Sequence, residues 1–281
     1  MNNIGTYTLN NGLKIPRIGF GTWMVRDGGE GADIIRAALD CGYSHIDTAG
    51  MYGNEKAVGV AIKGYNRENL FITSKLNNPI RGYKQTLAEI ERELGELKTD
   101  YLDLYLIHWP RPIAFRDRWE ETNAESWAAF EELYGKGVLK SIGVSNFLPH
   151  HLEALYRTAK IEPMVNQLEM HPRFFQREAY DYCEARGVLV EAWSPLVRGA
   201  FNELPLIAET AAKYGKTSAQ LCLRWSVQMN MLPLPKTSKR ERMLENADIF
   251  NFEISTEDMD RLSALHKDDG NIGYHPDKAA F

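Results

Sequence analysis

The chain is poor in cysteine, has no long apolar run, carries no excess of basic charge and contains no stretch biased enough to act as a linker. Each absence removes a class of protein. Cys41, Cys183 and Cys222 are odd in number, far apart and never paired as CxxC. Neither a disulfide frame nor a cysteine zinc site is expected, and reduced thiols in the cytoplasm are. No apolar stretch reaches the roughly 18 residues that a membrane helix requires. The first twenty residues, MNNIGTYTLNNGLKIPRIGF, lack a basic segment followed by an apolar core, so no secretory signal is expected. A net charge of -5 gives no basic stripe for nucleic acid. What remains is 281 residues, 44% hydrophobic and 25% charged, which is ample material for a globular core.

The chain opens with TYTLNNGLKIP, two short β-like runs around Asn-Asn-Gly, a hairpin signal. Two kinds of segment then alternate. Short apolar runs are IGFGTW (18–23), SHID (44–47), LFITSK (70–75), LDLYLIH (102–108), KSIGVS (140–145), MVNQ (164–167), VLVEAW (188–193) and MLPLP (231–235). Between them lie segments of helical period. EGADIIRAALDCG sets Ile34, Ile35, Ala38 and Leu39 on one face and stops at Gly42, and YKQTLAEIERELGELK repeats Leu87, Ile90, Leu94 and Leu97. AESWAAFEELYGKG, LPHHLEALYRTA, QREAYDYCEARG and TSAQLCLRWSVQMN behave alike. Strict alternation predicts a parallel sheet covered by helices. Eight units, and the fit to about 250 residues, point to a single-domain (β/α)8 TIM barrel over 1–281, with the N-terminal hairpin closing its bottom. A doubly wound open sheet shares the pattern.

In a parallel barrel the active site lies at the C-terminal ends of the strands. There the second, third and fourth runs end in Asp47, Lys75 and His108, and Tyr52 follows Asp47 in the glycine-flanked loop DTAGMYGNE. Singly, each has an ordinary explanation: a cap, a solvated strand end, a hydrogen-bonded loop histidine, a packed aromatic. Three consecutive strands ending in D, K and H on one rim are harder to assign to chance. A phenol with a pKa of about 10 is a poor acid at neutral pH. A neighbouring ammonium lowers that value, a buried carboxylate keeps the ammonium charged and aimed, and the histidine orients a carbonyl. The expected result is a proton donor for carbonyl reduction. GxSxG and HExxH are absent, as is any paired histidine with an evident third ligand, so hydrolytic and metal chemistry have little support.

Reduction needs a hydride source. GxGxxG is missing, since Gly19-Phe-Gly21 has no third glycine and no helix at once after it, which argues against a Rossmann site. PLPKTSKRERMLEN (232–246) gathers Lys236, Thr237, Ser238, Lys239, Arg240 and Arg242 between the last strand and a helix start, a setting that suits a phosphate.

These residues resemble the aldo-keto reductases over essentially the whole chain. GYSHIDTAGMYGNE, FITSKL, LYLIHWP, IGVSNF, MVNQLEMHP and PKTSKRERMLEN match the family's motifs in order, closest to the bacterial 2,5-diketo-D-gluconate reductase branch. The resemblance implies NADPH-dependent reduction of aldehydes and ketones, with diketo-sugar acids among the candidate substrates. It makes Tyr52 the general acid, Lys75 the group that lowers its pKa, Asp47 the anchor of Lys75, and His108 the carbonyl-orienting residue. Ser145, Asn146 and Gln167 would bind the nicotinamide carboxamide, and Thr22 and Trp23 would border the pocket. Ser194 and Leu196 would follow the pyrophosphate. Lys236, Thr237, Ser238 and Arg242 would hold the 2′-phosphate, with Glu245 and Asn246 at the adenine. Trp193 stands where most members have a nicotinamide-stacking Tyr, and Asn271 where many have Arg. Trp23, Trp109 and Trp119 would line the substrate pocket with Tyr52 and His108, and Arg116 or Arg118 would meet charged substrates at the rim. The resemblance offers one alternative, an NADPH-binding redox sensor with little turnover. The partner expected is a small carbonyl compound met by a monomer, without nucleic acid, membrane or metal.

Overall fold

The computed structural model describes residues 4–281. Strands β1 (Thr6–Thr8) and β2 (Lys14–Pro16) form an antiparallel hairpin. The barrel strands are β3 (Phe20–Gly21), β4 (His45–Asp47), β5 (Phe71–Leu76), β6 (Leu104–Ile107), β7 (Ile142–Ser145), β8 (Val165–Glu169), β9 (Leu189–Trp193) and β10 (Leu232–Leu234). All eight coincide with the apolar runs. Each pairs in parallel with its sequence neighbour from β3 to β10. Closure comes from two further bonds: the Gly19 amide donates to Pro233 O at 3.1 Å and Gly21 to Pro235 O at 3.0 Å. These bonds tie β3 to β10 and exclude the open sheet. The seam explains Gly19, because a Cβ there would lie 2.6 Å from Leu234 Cδ2 and 2.7 Å from His45 Nδ1.

Helices α1 (Gly29–Asp40), α2 (Glu55–Ile62), α3 (Tyr83–Leu97), α4 (Trp119–Gly135), α5 (Pro149–Tyr156), α6 (Arg177–Glu184), α7 (Pro205–Lys213), α8 (Ser218–Gln228), α9 (Arg240–Ala247) and α10 (Thr256–Ser263) surround the barrel. α1 ends as its sequence suggests, with Gly42 at φ 90 just past the C-cap Cys41. The hairpin lies across the strand starts. Tyr7 donates to Met231 O at 3.2 Å, Asn10 to Pro163 O at 3.1 Å and Asn11 to Lys140 O at 3.0 Å, just before β10, β8 and β7 respectively. The bottom is thereby closed. No helix among the described residues is long and apolar enough to cross a membrane.

Candidate active site

At the opposite rim the strand ends converge. β4 delivers Asp47 and β5 delivers Lys75, both buried. Lys75 Nζ donates to Asp47 Oδ1 and Oδ2, each at 2.8 Å, and to Thr48 O at 2.8 Å. Burial alone would lower the Lys75 pKa, but the Asp47 carboxylate outweighs it and the net direction is up. Lys75 is therefore an ammonium. After Asp47 the chain makes a 3-10 turn, Gly50–Tyr52, reversed at Gly53 with φ 63. This turn brings the Tyr52 hydroxyl to 3.5 Å from Lys75 Nζ. Asn54 anchors the loop by accepting from Thr48 Oγ1 at 2.7 Å and donating to Thr22 O and Val25 O.

One expectation needs correcting. Burial raises the Tyr52 phenol, and although the Lys75 charge pulls the other way, the net direction is above the ordinary value. The pull of the ammonium is present, but moving a phenolate out of water costs more than a single ammonium at this distance returns.

His108 follows β6, with its ring edge-on to Tyr52 at 5.7 Å between centroids. Burial first, then the Lys75 and Arg81 charges, push its pKa well down, so it is a neutral imidazole. Its Nδ1 is buried without a partner among the described residues.

A second layer adjoins these four. Ser145 ends β7, and Asn146 follows it with φ 63. Asn146 Nδ2 donates to His108 O and Ser145 Oγ, each at 3.0 Å, while its Oδ1 accepts from Trp193 Nε1 at 2.9 Å. A tyrosine at position 193 would have no ring N–H for this bond. Ser145 Oγ donates to Gln167 O at 2.9 Å, and Gln167 Nε2 donates to Asp47 Oδ1 at 2.8 Å. Thr22 is buried, and its hydroxyl donates to Asp47 O at 3.0 Å.

Left-handed non-glycine conformations crowd this rim. Apart from the helix-end residues Lys98 and Asn230, they are Met24, Asn146, Ser194, Val197 and Arg198, all in loops at the C-terminal ends of strands. Backbone strain of this kind concentrates at functional sites. Ser194 O accepts from the Val197 amide and Leu196 O from the Gly199 amide, making a tight loop after β9. Arg198 stacks over the half-exposed Trp23 ring at 4.6 Å.

The basic segment runs from the end of β10 into the first turn of α9, and its Lys236, Ser238, Lys239, Arg240 and Arg242 are exposed. Among the described residues no carboxylate lies within ion-pair distance of its four cations, and α9 has no side-chain cap at its N-terminus. Thr237 Oγ1 accepts from the Lys239 amide. Asn246 is buried. Glu245 is already engaged by Thr217 Oγ1 at 2.6 Å, so the two adenine candidates differ.

The aromatic candidates separate. Trp109 is buried and packs edge-on against Phe281 of the tail at 5.1 Å. Trp119 packs edge-on against His151 at 5.0 Å. Arg116 donates to Ala279 O, and Arg118 pairs with Glu121 at 3.5 Å. Asn271 donates to Gly273 O at 2.7 Å.

Three residues escaped the sequence reading. Glu169 is buried at the end of β8 and accepts from the Ile272 and Gly273 amides and from His171, holding the tail. Asp277 supplies the third group to the adjacent pair His150 and His151, which lacked one in sequence. The three ligand-type atoms lie within 4.8 Å of one another. His151 Nδ1, however, accepts the Leu148 amide at 3.0 Å, so Nε2 carries the proton of the neutral ring. A metal-bound imidazole has the reverse arrangement, its other nitrogen donating. Asp277 Oδ1 also accepts from Arg111 at 3.0 Å, and the group is a hydrogen-bonded latch for the tail. The third residue, Glu191, had one signal, an acid in the middle of an apolar run.

A barrel with an Asp–Lys–Tyr–His cluster at its rim defines the class, and comparison with known proteins agrees. Residues 17–267 match the model of the Aldo/keto reductase family. The chain is 47% identical to the glyoxal reductase of Bacillus subtilis over 278 residues, 98% of each chain. An aldo/keto reductase from Brucella melitensis is similar in structure at TM-score 0.88 and 40% identity, over 94% of this chain and 100% of that one. Gox0644, solved as a variant in complex with NADPH, matches at TM-score 0.93 and 34% identity over 100% of both chains. The chain belongs to the aldo/keto reductase family and is an oxidoreductase.

Proposed function

We propose that this enzyme reduces small aldehydes and ketones with NADPH, Tyr52 giving the proton. The observation that carries the reading is the buried Lys75 ammonium, fixed by both Asp47 oxygens with the Tyr52 hydroxyl at 3.5 Å. The residues present fit the cofactor. Four cations without carboxylate partners at an uncapped helix start suit a 2′-phosphate, and the Ser145–Asn146–Gln167 layer suits a carboxamide. When bound, NADPH supplies hydride to the carbonyl carbon. The carbonyl oxygen gathers charge and takes the Tyr52 proton. Lys75 stabilises the phenolate left behind, Asp47 keeps Lys75 charged, and neutral His108 orients the oxygen. The net change is one carbonyl and one proton to one alcohol, with NADPH oxidised.

The substrate reading favours small dicarbonyls. The support is the likeness to a glyoxal reductase and the aromatic pair Trp109 and Phe281, which suits a small carbonyl compound. Loss of NADPH absorbance with glyoxal, methylglyoxal, simple aldehydes and 2,5-diketogluconate tests it. We expect the highest kcat/KM with the dicarbonyls. Preference for the sugar acid would move the assignment to the diketogluconate branch, and tight NADPH binding without turnover of any carbonyl would favour the sensor.

A further inference from the structure

Glu191 sits in the middle of β9, fully buried, register-paired with Gln167 of β8 and Leu232 of β10. Its Oε2 accepts from Gln167 Nε2 at 2.7 Å, and its Oε1 meets no donor among the described residues. Gln167 Nε2 has only two hydrogens. The other goes to Asp47 Oδ1 at 2.8 Å. Both N–H groups of this amide are therefore committed to acids, and the carbonyl oxygen alone is left for anything bound in the pocket. Turning the amide over would set its oxygen against the Asp47 carboxylate, which can only accept. Asp47 is held in any case by Lys75, whereas Glu191 meets no other donor among the described residues. The charged groups acting on it are Asp47 of β4 and Lys75 of β5, and its strand neighbours Gln167 and Leu232 do not titrate. Burial first, then the Asp47 charge, push its carboxyl up to about 8. Near neutral pH it is mostly the uncharged acid, which lessens the cost of an unpartnered oxygen.

We propose that Glu191 is a positioning residue of the nicotinamide subsite, pinning the Gln167 nitrogen so that the carbonyl oxygen faces the carboxamide NH2. This rests on the assignment of Gln167 to the carboxamide. The test compares Glu191→Met, Glu191→Gln and Gln167→Ala by NADPH Kd from fluorescence and by carbonyl KM, with thermal melts to verify folding. Glu191→Met keeps the volume and removes the acceptor. Loss of one hydrogen bond at the amide corresponds to a roughly tenfold weaker NADPH Kd, with carbonyl KM unchanged. Glu191→Gln keeps an acceptor and stays within about twofold of the wild type. A purely structural role would lower melting temperature without this split or this rescue. A folded Glu191→Met with wild-type NADPH affinity, beside an impaired Gln167→Ala, overturns the proposal and leaves the carboxamide assignment standing. Wild-type affinity in Gln167→Ala removes the assignment and the proposal together. Should Glu191→Met not fold, Glu191→Thr is too short to reach Gln167 and carries the same expectation and the same contrary result.

Discussion

Lys75 is surrounded by one carboxylate, one carbonyl and one phenol, and that count decides its chemistry. With three donors and all three directed, it holds one positive charge in a region from which water is excluded. Removing Asp47 would leave that charge buried and unpaired, which is far costlier than the pair is worth. Asp47, Lys75 and His108 were legible because each closes an apolar run, and Tyr52 because it follows Asp47 in a glycine-flanked loop. The direction of the Tyr52 pKa was not, since it depends on how much water the fold removes, and no spacing encodes that. Trp193 was legible as a departure but not as the donor to Asn146, because the bond joins residues on separate strands. Glu191 yields a pH prediction. Unfolded, it ionises near the ordinary 4.5, and folded near 8. Between these values the folded state holds a proton that the unfolded state has released, so its contribution to stability is full below about 4.5 and falls as pH rises to about 8. Chemical denaturation at about pH 5 and about pH 8 should show the wild type losing stability relative to Glu191→Gln. A gap between the two proteins that does not change with pH would contradict the shift.

The strands were read correctly because barrel strands are short, apolar and bounded by turns. The helices were read less completely. α2, α7 and α10 were not singled out: α2 is eight residues of EKAVGVAI, buried on most of its surface, and so lacks an amphipathic stripe. In α3 the expected stripe was rotated. Ile90 and Leu97 are buried as expected, but their buried companions are Thr86 and Glu93, while Leu87 and Leu94 are half-buried. Glu93 could not be foreseen inside, because its partner Ser74 arrives from β5 at 2.9 Å and burial raises its pKa well above the ordinary value. The turn between β10 and α9 was legible from composition alone, since cations, hydroxyls and a helix start are local features. It gives the element-scale prediction. Arg242→Ala should weaken NADPH binding roughly tenfold, the cost of a lost charge-assisted bond, and leave NADH nearly unchanged. Equal losses for both cofactors would remove the 2′-phosphate from this loop.

Across the whole molecule, the hairpin closes one end of the barrel and the C-terminal tail borders the other. The sequence pattern reached the barrel but not the tail, because the tail's partners lie more than a hundred residues away: Glu169 for Ile272, and His151 and Arg111 for Asp277. Burial alone would raise Asp277, yet the hydrogen bonds from Arg111 and His150 bring it down to about 2, so the latch stays ionised at all ordinary pH. Asp277→Ala leaves three donors without their acceptor. It should cost roughly 1–2 kcal/mol, speed proteolysis of the tail and raise the carbonyl KM while NADPH affinity holds. An unchanged KM would separate the tail from the pocket. A single substitution tests whether barrel, basic loop and rim serve one reaction. Tyr52→Phe removes only the hydroxyl near Lys75. The expected result is a fall of at least about 100-fold in kcat for carbonyl reduction, with NADPH Kd nearly that of the wild type. Turnover within a few-fold of the wild type would show that the proton comes from elsewhere.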